Sequence, residues 1–405
     1  MTCATRSCLA QETLILAGGI VDEPLVLSGK ADSQTDALRV TQGLNEIEAD
    51  VELQGELVRI RVDANSELIF QNPIHGNVYL VLNPAAETSL ITFTSQIDNG
   101  NGYIDQENVG TVTLASPENI LREYRIRQGH LRTDVARAFE PSIVLRLGGD
   151  SEFNANADAV FDLNGCDQTV ARIFETPKLM NRTSITSSDP AELAVVGEDE
   201  DSSLGGPISG AISLLKKGGA TLTLAGLHPY TGETTVEGGV LFLSDADLSQ
   251  TPKCQVMTNG ELGGRGNIGG DVVIGGTHAP TEQTFLKTLT YESGSTLIFK
   301  PNKDQIAGKA TPEQTAVSAA KIHFAPNTKI VLSFSEVSWS NSFWDAPQTL
   351  GVCRAKEGMP SCTNLKLDQA AWADSEGEEL KRKRPRARFE IQQNGENLVL
   401  QYKPS

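Results

Sequence analysis

The 405-residue chain is poor in aromatic residues (5%), has five histidines and four methionines, and carries 34 Lys and Arg against 52 Asp and Glu, a net charge of −18. Such a balance lacks the basic footprint needed to wrap nucleic acid or to dock on anionic lipid. No run approaches the ~20 apolar residues of a membrane-crossing helix, and the closing strand signals at 389–391 and 398–402 are far too short for a membrane barrel. Six cysteines, at 3, 8, 166, 254, 353 and 362, are too sparse for a disulfide-built fold and have no zinc spacing. The opening MTCATRSCLAQETLILAGG has one arginine and no apolar stretch of about seven residues before a cleavage site, so it does not read as a secretory signal.

What the chain has is glycine, 37 of them, placed between short alternating apolar runs. In 214–270 and just beyond it, the runs at 221–224, 234–236, 240–243 and 272–274 have strand character, and Gly218-Gly219, Gly226, Gly232, Gly238-Gly239 and Gly263-Gly264 stand between them. The same rhythm recurs at 51–55, 57–62, 68–70, 78–82, 90–93, 111–114, 143–147, 159–163, 296–299, 322–324 and 330–334. NPIHG at 72–76 is echoed by GPISG at 206–210, each leading into an apolar run. Strands this short bury one face only by stacking on neighbours, which implies an all-β solenoid with a continuous narrow core.

Three segments depart from the rhythm. Residues 117–138 are charged and glycine-poor and read as a short helix or an edge elaboration, and 301–320 carry a helix start at Thr311-Pro312-Glu313-Gln314 before an Ala-rich turn. An acidic hexad at 374–379 followed by KRKRPRAR at 381–388 reads as a mobile, self-neutralising loop, with contact to phosphate or glycan acids, or a nuclear signal in another setting, as the alternative. Cys3/Cys8 and Cys353/Cys362 are spaced to close small loops in an oxidising compartment; in a cytoplasmic protein Cys353 and Cys362 stay free thiols. Cys166 and Cys254 read as small buried residues on strand faces.

The stretch Leu215-Lys216-Lys217-Gly218-Gly219-Ala220-Thr221-Leu222-Thr223-Leu224-Ala225-Gly226, followed by Tyr230-Thr231-Gly232-Glu233-Thr234-Thr235-Val236 and Gly238-Gly239-Val240-Leu241, resembles the autotransporter-associated β-strand repeat. Ala220 and His228-Pro229 depart from that pattern; the phrases at 164–170 and 262–270 also fit it, so the resemblance spans roughly 143–300. It implies a right-handed parallel β-helix, secreted or displayed on a bacterial surface, with an adhesive or scaffolding role and no catalytic residues. Spacing agrees, because coils stack at about 4.8 Å and alternate residues form inward ladders.

Other strings are weighed against that reading. Gly264-Arg265-Gly266-Asn267-Ile268-Gly269 matches a dinucleotide fingerprint but has no surrounding βαβ unit, and it approaches a calcium nonapeptide with Asn where Asp is wanted, so it reads as a corner. Gly149-Asp150-Ser151-Glu152 has Glu152 where a serine-protease loop needs glycine. Glu198-Asp199-Glu200-Asp201 reads as a solvated loop, and Asp158 and Asp162 share a strand face without a basic partner. His75, His130, His228, His278 and His323 are isolated, with His323 on a strand surface. Asn181-Arg182-Thr183 fits the glycosylation rule but has no weight in a bacterium. Trp339, Phe343 and Trp344 read as packing under a C-terminal cap, with a sugar platform as the alternative.

The expectation is therefore an N-terminal cap and first coils over 1–50, a parallel β-helix over 51–300 with the repeat at 214–243, and C-terminal coils and a cap over 301–405 with a charged loop near 374–388. Its function is that of an exported bacterial surface or structural protein, extracellular or outer-membrane associated, with glycans, matrix proteins or its own copies as partners. No catalytic, cofactor-binding or metal residue is assigned. The alternative is a polysaccharide lyase or glycoside hydrolase on the same fold, which needs carboxylates converging across a groove.

Overall fold

Alternating apolar and polar residues give a strand one apolar face, and its backbone groups must be paired by a neighbour. The computed structural model describes residues 6–7, 13–29, 35–149, 158–176, 182–301, 303–306, 314–362, 365–368 and 372–404. In it the neighbour is the equivalent strand one coil away, so the protein is nearly all β, a parallel β-solenoid of about 12 turns. The chain divides into two compact units, Met1–Leu214 and Leu215–Ser405.

Coils of the first unit have three faces. One stacks Leu25–Gly29, Val51–Gly55, Ile74–His75 and Ile97–Asp98. The second stacks Leu57–Val62, Tyr79–Pro84, Tyr103–Gln106, Glu123–Ile126, Val144–Leu147 and Arg172–Glu175. A third stacks Ser66–Phe70, Leu90–Phe93, Thr111–Leu114, Gly129–Thr133 and Ala159–Asp162. All pair parallel and in register, so Val58, Leu80, Ile104, Tyr124, Leu145 and Ile173 form one buried column. The Phe70 and Phe93 rings stack at 4.9 Å in the same interior. Each fully buried side chain of this size stabilises the stack by roughly 1.5–3 kcal/mol.

Corners in this unit hold buried amides. The Asn99 side chain accepts the Val78 N–H at 3.0 Å and donates to the Val78 carbonyl at 3.0 Å. Asn119 accepts the Ile97 N–H and donates to the Ser116 and Ala138 carbonyls, all at 2.7 Å. A side-chain amide thus supplies the peptide partner that the bend takes away. Residues 117–138 are not an insertion but an ordinary coil with strands Glu123–Ile126 and Gly129–Thr133. Tyr124, Ile126 and Leu131 are among its buried residues and alternate with the charged ones at period two, which excludes the helix. Cys166 lies in a turn, its N–H donating to the Leu163 carbonyl, and not on a strand face.

In the second unit, glycine bends strands without ending them. Thr234–Leu248, Lys253–Ile268 and Thr277–Tyr291 run 15, 16 and 15 residues, with register shifts at Ser244/Ala246 and Gly264/Arg265. The runs at 234–236 and 240–243 are therefore parts of one strand. Gly264 has a φ of +84°, and a Cβ there would meet the Leu243 carbonyl oxygen at 2.0 Å, so only glycine fits. Val236, Val256, Ile274, Tyr291 and Phe324 form an inward column, with the last two rings stacked at 5.0 Å. Val317–Phe324 is a strand where an Ala-rich turn was expected; Lys303–Ile306 is a four-residue α-helix, and 311–313 lie outside the described residues.

Parallel stacking gives way where Gln348–Ala355 and Arg388–Asn394 pair antiparallel with Asn397–Lys403, the last strand pair that the sequence signals. Phe334, Trp339, Trp344, Phe389 and Tyr402 pack together beneath it, with ring centroids 4.5–6.4 Å apart in the contacts they make. Trp339 and Trp344 are buried, so they pack under the cap and offer no sugar platform.

Candidate binding surfaces

On the second face of the first unit, outward residues line up coil by coil. Arg59, Val81, Asp105, Arg125, Arg146 and Phe174 are register partners, and Leu57, Tyr79, Tyr103, Glu123 and Val144 run beside them. Arginine gathers here in a chain that is acidic overall, and its neighbours neutralise it. Arg59 meets Glu107 at 2.6 Å, Arg127 meets Asp105 at 2.7 Å, and Arg125 meets Glu123 at 3.1 Å. Asp105 is buried and also accepts from the Tyr79 hydroxyl; burial, then that contact, push the Tyr79 phenol up. Burial opposes the charge of Arg127, but the Asp105 carboxylate outweighs it and holds the guanidinium above its usual value. Asp63 sits between Arg39 and Arg61 at 2.8 Å each, and these hold its carboxyl low although burial works the other way. Arg122 lies over Tyr103, and Arg146 and Arg172 over Phe174, at 5.5, 5.3 and 4.7 Å from the ring centroids. The face is a braced ladder that specifies register more than it stabilises.

Buried polar side chains are also occupied. Glu175 accepts from the Thr183 hydroxyl at 2.5 Å and from the N–H groups of Gly205 and Gly206 at 2.6 and 2.9 Å. Burial raises its carboxyl, against those three donors. The ring of His278 contacts the Tyr291 hydroxyl at 2.6 Å and Gln283 Oε1 at 2.8 Å, and Gln283 donates to the Gly263 carbonyl at 2.9 Å. Burial lowers His278 to about 4 and also lowers His228 to about 4, so both rings are neutral at pH 7. Each ring bonds within its own coil, and the sealed His278 reaches the adjacent coil only through Gln283, with no route to a substrate.

The repeat motif has the same structural logic. Lys216 is buried with its ammonium on the carbonyls of Lys217, Gly218 and Gly238, closing the corner that Gly218 and Gly239 form. Tyr230 is buried with its hydroxyl 2.6 Å from that of Thr234, and Thr251 donates to the Gly232 carbonyl at 2.7 Å. The conspicuous residues of the motif thus point inward, away from any ligand.

The GRGNIG string lies within Lys253–Ile268 and its continuation. Arg265 and Asn267 share a shallow groove of about 210 Å³ with Asp245, Asp247 and Glu282, and Arg265 reaches Asp245 at 3.4 Å and Glu282 at 3.6 Å. The guanidinium sits where a cation would go. Glu198, Asp199, Glu200 and Asp201 are exposed, with Glu200 paired to Arg172 at 2.7 Å. Among the described residues no group of three or more His, Cys, Asp or Glu is placed to hold a metal ion. His75, His130 and His323 are exposed; Asp158 is exposed and Asp162 half-buried; residues 150–157, most of the GDSE string, and Asn181 lie outside the described residues. Cys353 and Cys362 are free thiols, and Cys362 Sγ contacts the Pro360 carbonyl at 3.1 Å.

At the C-terminal cap, Arg386, Arg388 and Lys403 line an open groove of about 620 Å³ together with Glu390. Arg384 holds the basic segment in place, donating to the Trp339 carbonyl at 3.0 Å and the Trp344 carbonyl at 2.8 Å and pairing with Asp345 at 2.8 Å. The ion pairs of the lateral ladder are largely internal, whereas the cap groove is lined mostly by cations.

The molecule is a parallel β-solenoid whose coil interiors and corners consume their own polar groups. No family model matches the chain, and no solved structure matches it. It is similar to the adhesin BmaC autotransporter of Brucella suis biovar 1 (strain 1330), 32% identical over 170 residues, which are 42% of this chain and 5% of that protein. The chain therefore spans about 5% of the length of the curated relative it matches. Fold and similarity together fit an autotransporter-passenger-like β-helix.

Proposed function

We propose that the chain is a passenger segment displayed on a bacterial surface, adhesin-like in role, whose solenoid holds binding surfaces away from the cell and performs no chemistry of its own. The observation that carries this reading is the parallel ladder architecture joined to the similarity with a protein named as an autotransporter adhesin. The buried side chains support it as well: Glu175, His278 and Lys216 are each tied to groups of their own or adjacent coils. A lyase or hydrolase instead needs carboxylates free to converge on a sugar.

Antibody raised against the purified chain is expected to label intact source cells, and protease shaving of those cells is expected to remove the epitope. Beads coated with the protein should attach to a panel of immobilised glycans and matrix proteins above an uncoated control. An epitope found only after lysis sinks the reading.

A further inference from the structure

A chain with net charge −18 would be expected to screen any basic run with its own carboxylates, and 374–379 supplies such carboxylates next to 381–388. The cap does not use them so. Asp374 turns inward and accepts the N–H groups of Trp339, Glu376 and Glu378 at 2.8, 2.9 and 2.9 Å. Glu390 is engaged by Lys403 at 2.6 Å. Lys381, Arg382, Lys383, Arg386 and Arg388 are all exposed; Lys383 is near enough to Asp374, and Arg388 to Glu390, to help hold those carboxyls low, and none of the five forms a closer ion pair or side-chain hydrogen bond among the described residues. Arg384 and the buried Leu380 anchor the backbone of the segment, so five cations are presented along one strip, with their side chains left to order on a ligand. The contrast with the lateral ladder is direct: there each arginine of Arg59, Arg125 and Arg127 already has its carboxylate.

We propose that this strip and the groove beside it bind a linear anionic polysaccharide through its sulfate or carboxylate groups. The inference rests on the surface-passenger reading and names the partner of one of its surfaces. Guanidiniums at 386 and 388 supply planar two-point contacts to sulfate or carboxylate, and the lysines add point charges. The groove walls, Pro385, Ala387 and Pro404, offer no aromatic face on which a nucleobase could stack, and Trp339, Trp344, Phe389 and Tyr402 of the cap are buried. The large exposed apolar side chains of this unit, Leu227, Phe242, Met257 and Leu286, belong to other segments, so the groove has no wedge for a lipid surface.

The test uses the full chain and four immobilised probes: heparin, dextran sulfate, polygalacturonate and uncharged dextran. The variant Lys381→Gln/Lys383→Gln/Arg386→Gln/Arg388→Gln is compared with the charge-matched Lys287→Gln/Lys321→Gln/Lys329→Gln/Lys356→Gln, whose sites are also exposed in the same unit. Heparin is expected to bind, more weakly as salt rises, with affinity lost at least about ten-fold in the first variant and less than about two-fold in the second. Dextran sulfate against polygalacturonate tells which anion is read. Absence of binding to all three anionic probes, or equal loss in both variants, overturns the proposal, as does tighter binding to single-stranded DNA or phosphatidylserine vesicles than to any of them. Circular dichroism with unchanged melting shows that the variant is folded; if it is not, Arg386→Gln/Arg388→Gln alone must show at least about a three-fold loss. Polysaccharide binding without surface labelling of cells defeats the passenger reading alone, and labelling without polysaccharide binding defeats this inference alone.

Discussion

Asn99 and Asn119 in the first unit and Gly239 and Gly264 in the second each stand at a place where a strand must turn while its coil stays stacked. The asparagines do so by adding atoms: their amides accept an N–H at the bend and donate to carbonyls beside it. Glycines do so by removing them, since a Cβ at Gly239 or Gly264 would meet a neighbouring coil's carbonyl oxygen at 2.4 or 2.0 Å. One solution costs buried polar surface that has to be satisfied, the other backbone entropy. The two therefore fail differently. A lost amide leaves orphaned hydrogen bonds, whereas an added methyl group forces coils apart.

The sharpest way to break the comparison is Gly264→Ala. Backbone would have to move by more than an ångström while an Ala holds a φ of +84°, so a loss of about 4 kcal/mol or more is expected, concentrated in Lys253–Ile268 and the strands it pairs with. Hydrogen exchange read peptide by peptide checks this, because each coil depends mainly on its neighbours. Protection retained at 253–291 would show that the close approach is not a constraint.

That corner also marks where the sequence was legible. Strands at 57–62, 90–93, 111–114 and 296–299 coincide with the alternating runs, since period-two patterning with β-branched residues states a strand by itself. Register is another matter. Arg59, Asp105 and Arg125 lie 46 and 20 residues apart, and only the lengths of intervening coils bring them into one column. A hint existed in Arg59-Ile60-Arg61 and Arg125-Ile126-Arg127, where arginine alternates with buried isoleucine and so must face outward. At 117–138 the density of charge and the scarcity of glycine mask that alternation. The exposed cations at 381–388 are masked for the opposite reason, since the Asp374 carboxylate, close in sequence, is spent on backbone amides in space.

Acid separates the units next. His278 and His228 are held near 4 by burial, below the ordinary 6.5, so each contributes stability that is complete above pH 6.5 and is lost as pH falls toward 4. Each shift corresponds to roughly 3 kcal/mol, of which roughly 2 is gone by pH 5. Glu175 in the first unit has the opposite sign: a raised carboxyl contributes stability that is present below its unfolded value of 4.5 and lost as pH rises through the folded one. Intrinsic-rate-corrected exchange between pH 7 and 5 should therefore weaken protection at 277–291 and leave 172–206 unweakened, and His278→Gln should flatten the first response. Equal acid sensitivity in both segments counts against this account.

Asn119→Ala is expected to have the smallest effect of the three, about 2 kcal/mol, confined to the first unit. The substitution leaves the Ile97 N–H and the Ser116 carbonyl without their side-chain partner, while the Ala138 carbonyl keeps the bond it accepts from the Asn119 N–H. Each buried group left unsatisfied costs about 1–3 kcal/mol, but a cavity the size of the lost amide, lined by those polar groups, can admit a water that restores part of it. Glycine corners have no such remedy, because water cannot relieve an atom that occupies a carbonyl's space. Exchange at 97–98 and 116–121 should rise in Asn119→Ala with neighbouring coils still protected, and Asn119→Asp should be worse, since it keeps the acceptor but loses the donor and buries a charge. An Asn119→Ala loss as large and as widely spread as that of Gly264→Ala would mean that amide corners tolerate no more than glycine corners, and the distinction between the two kinds of corner would collapse.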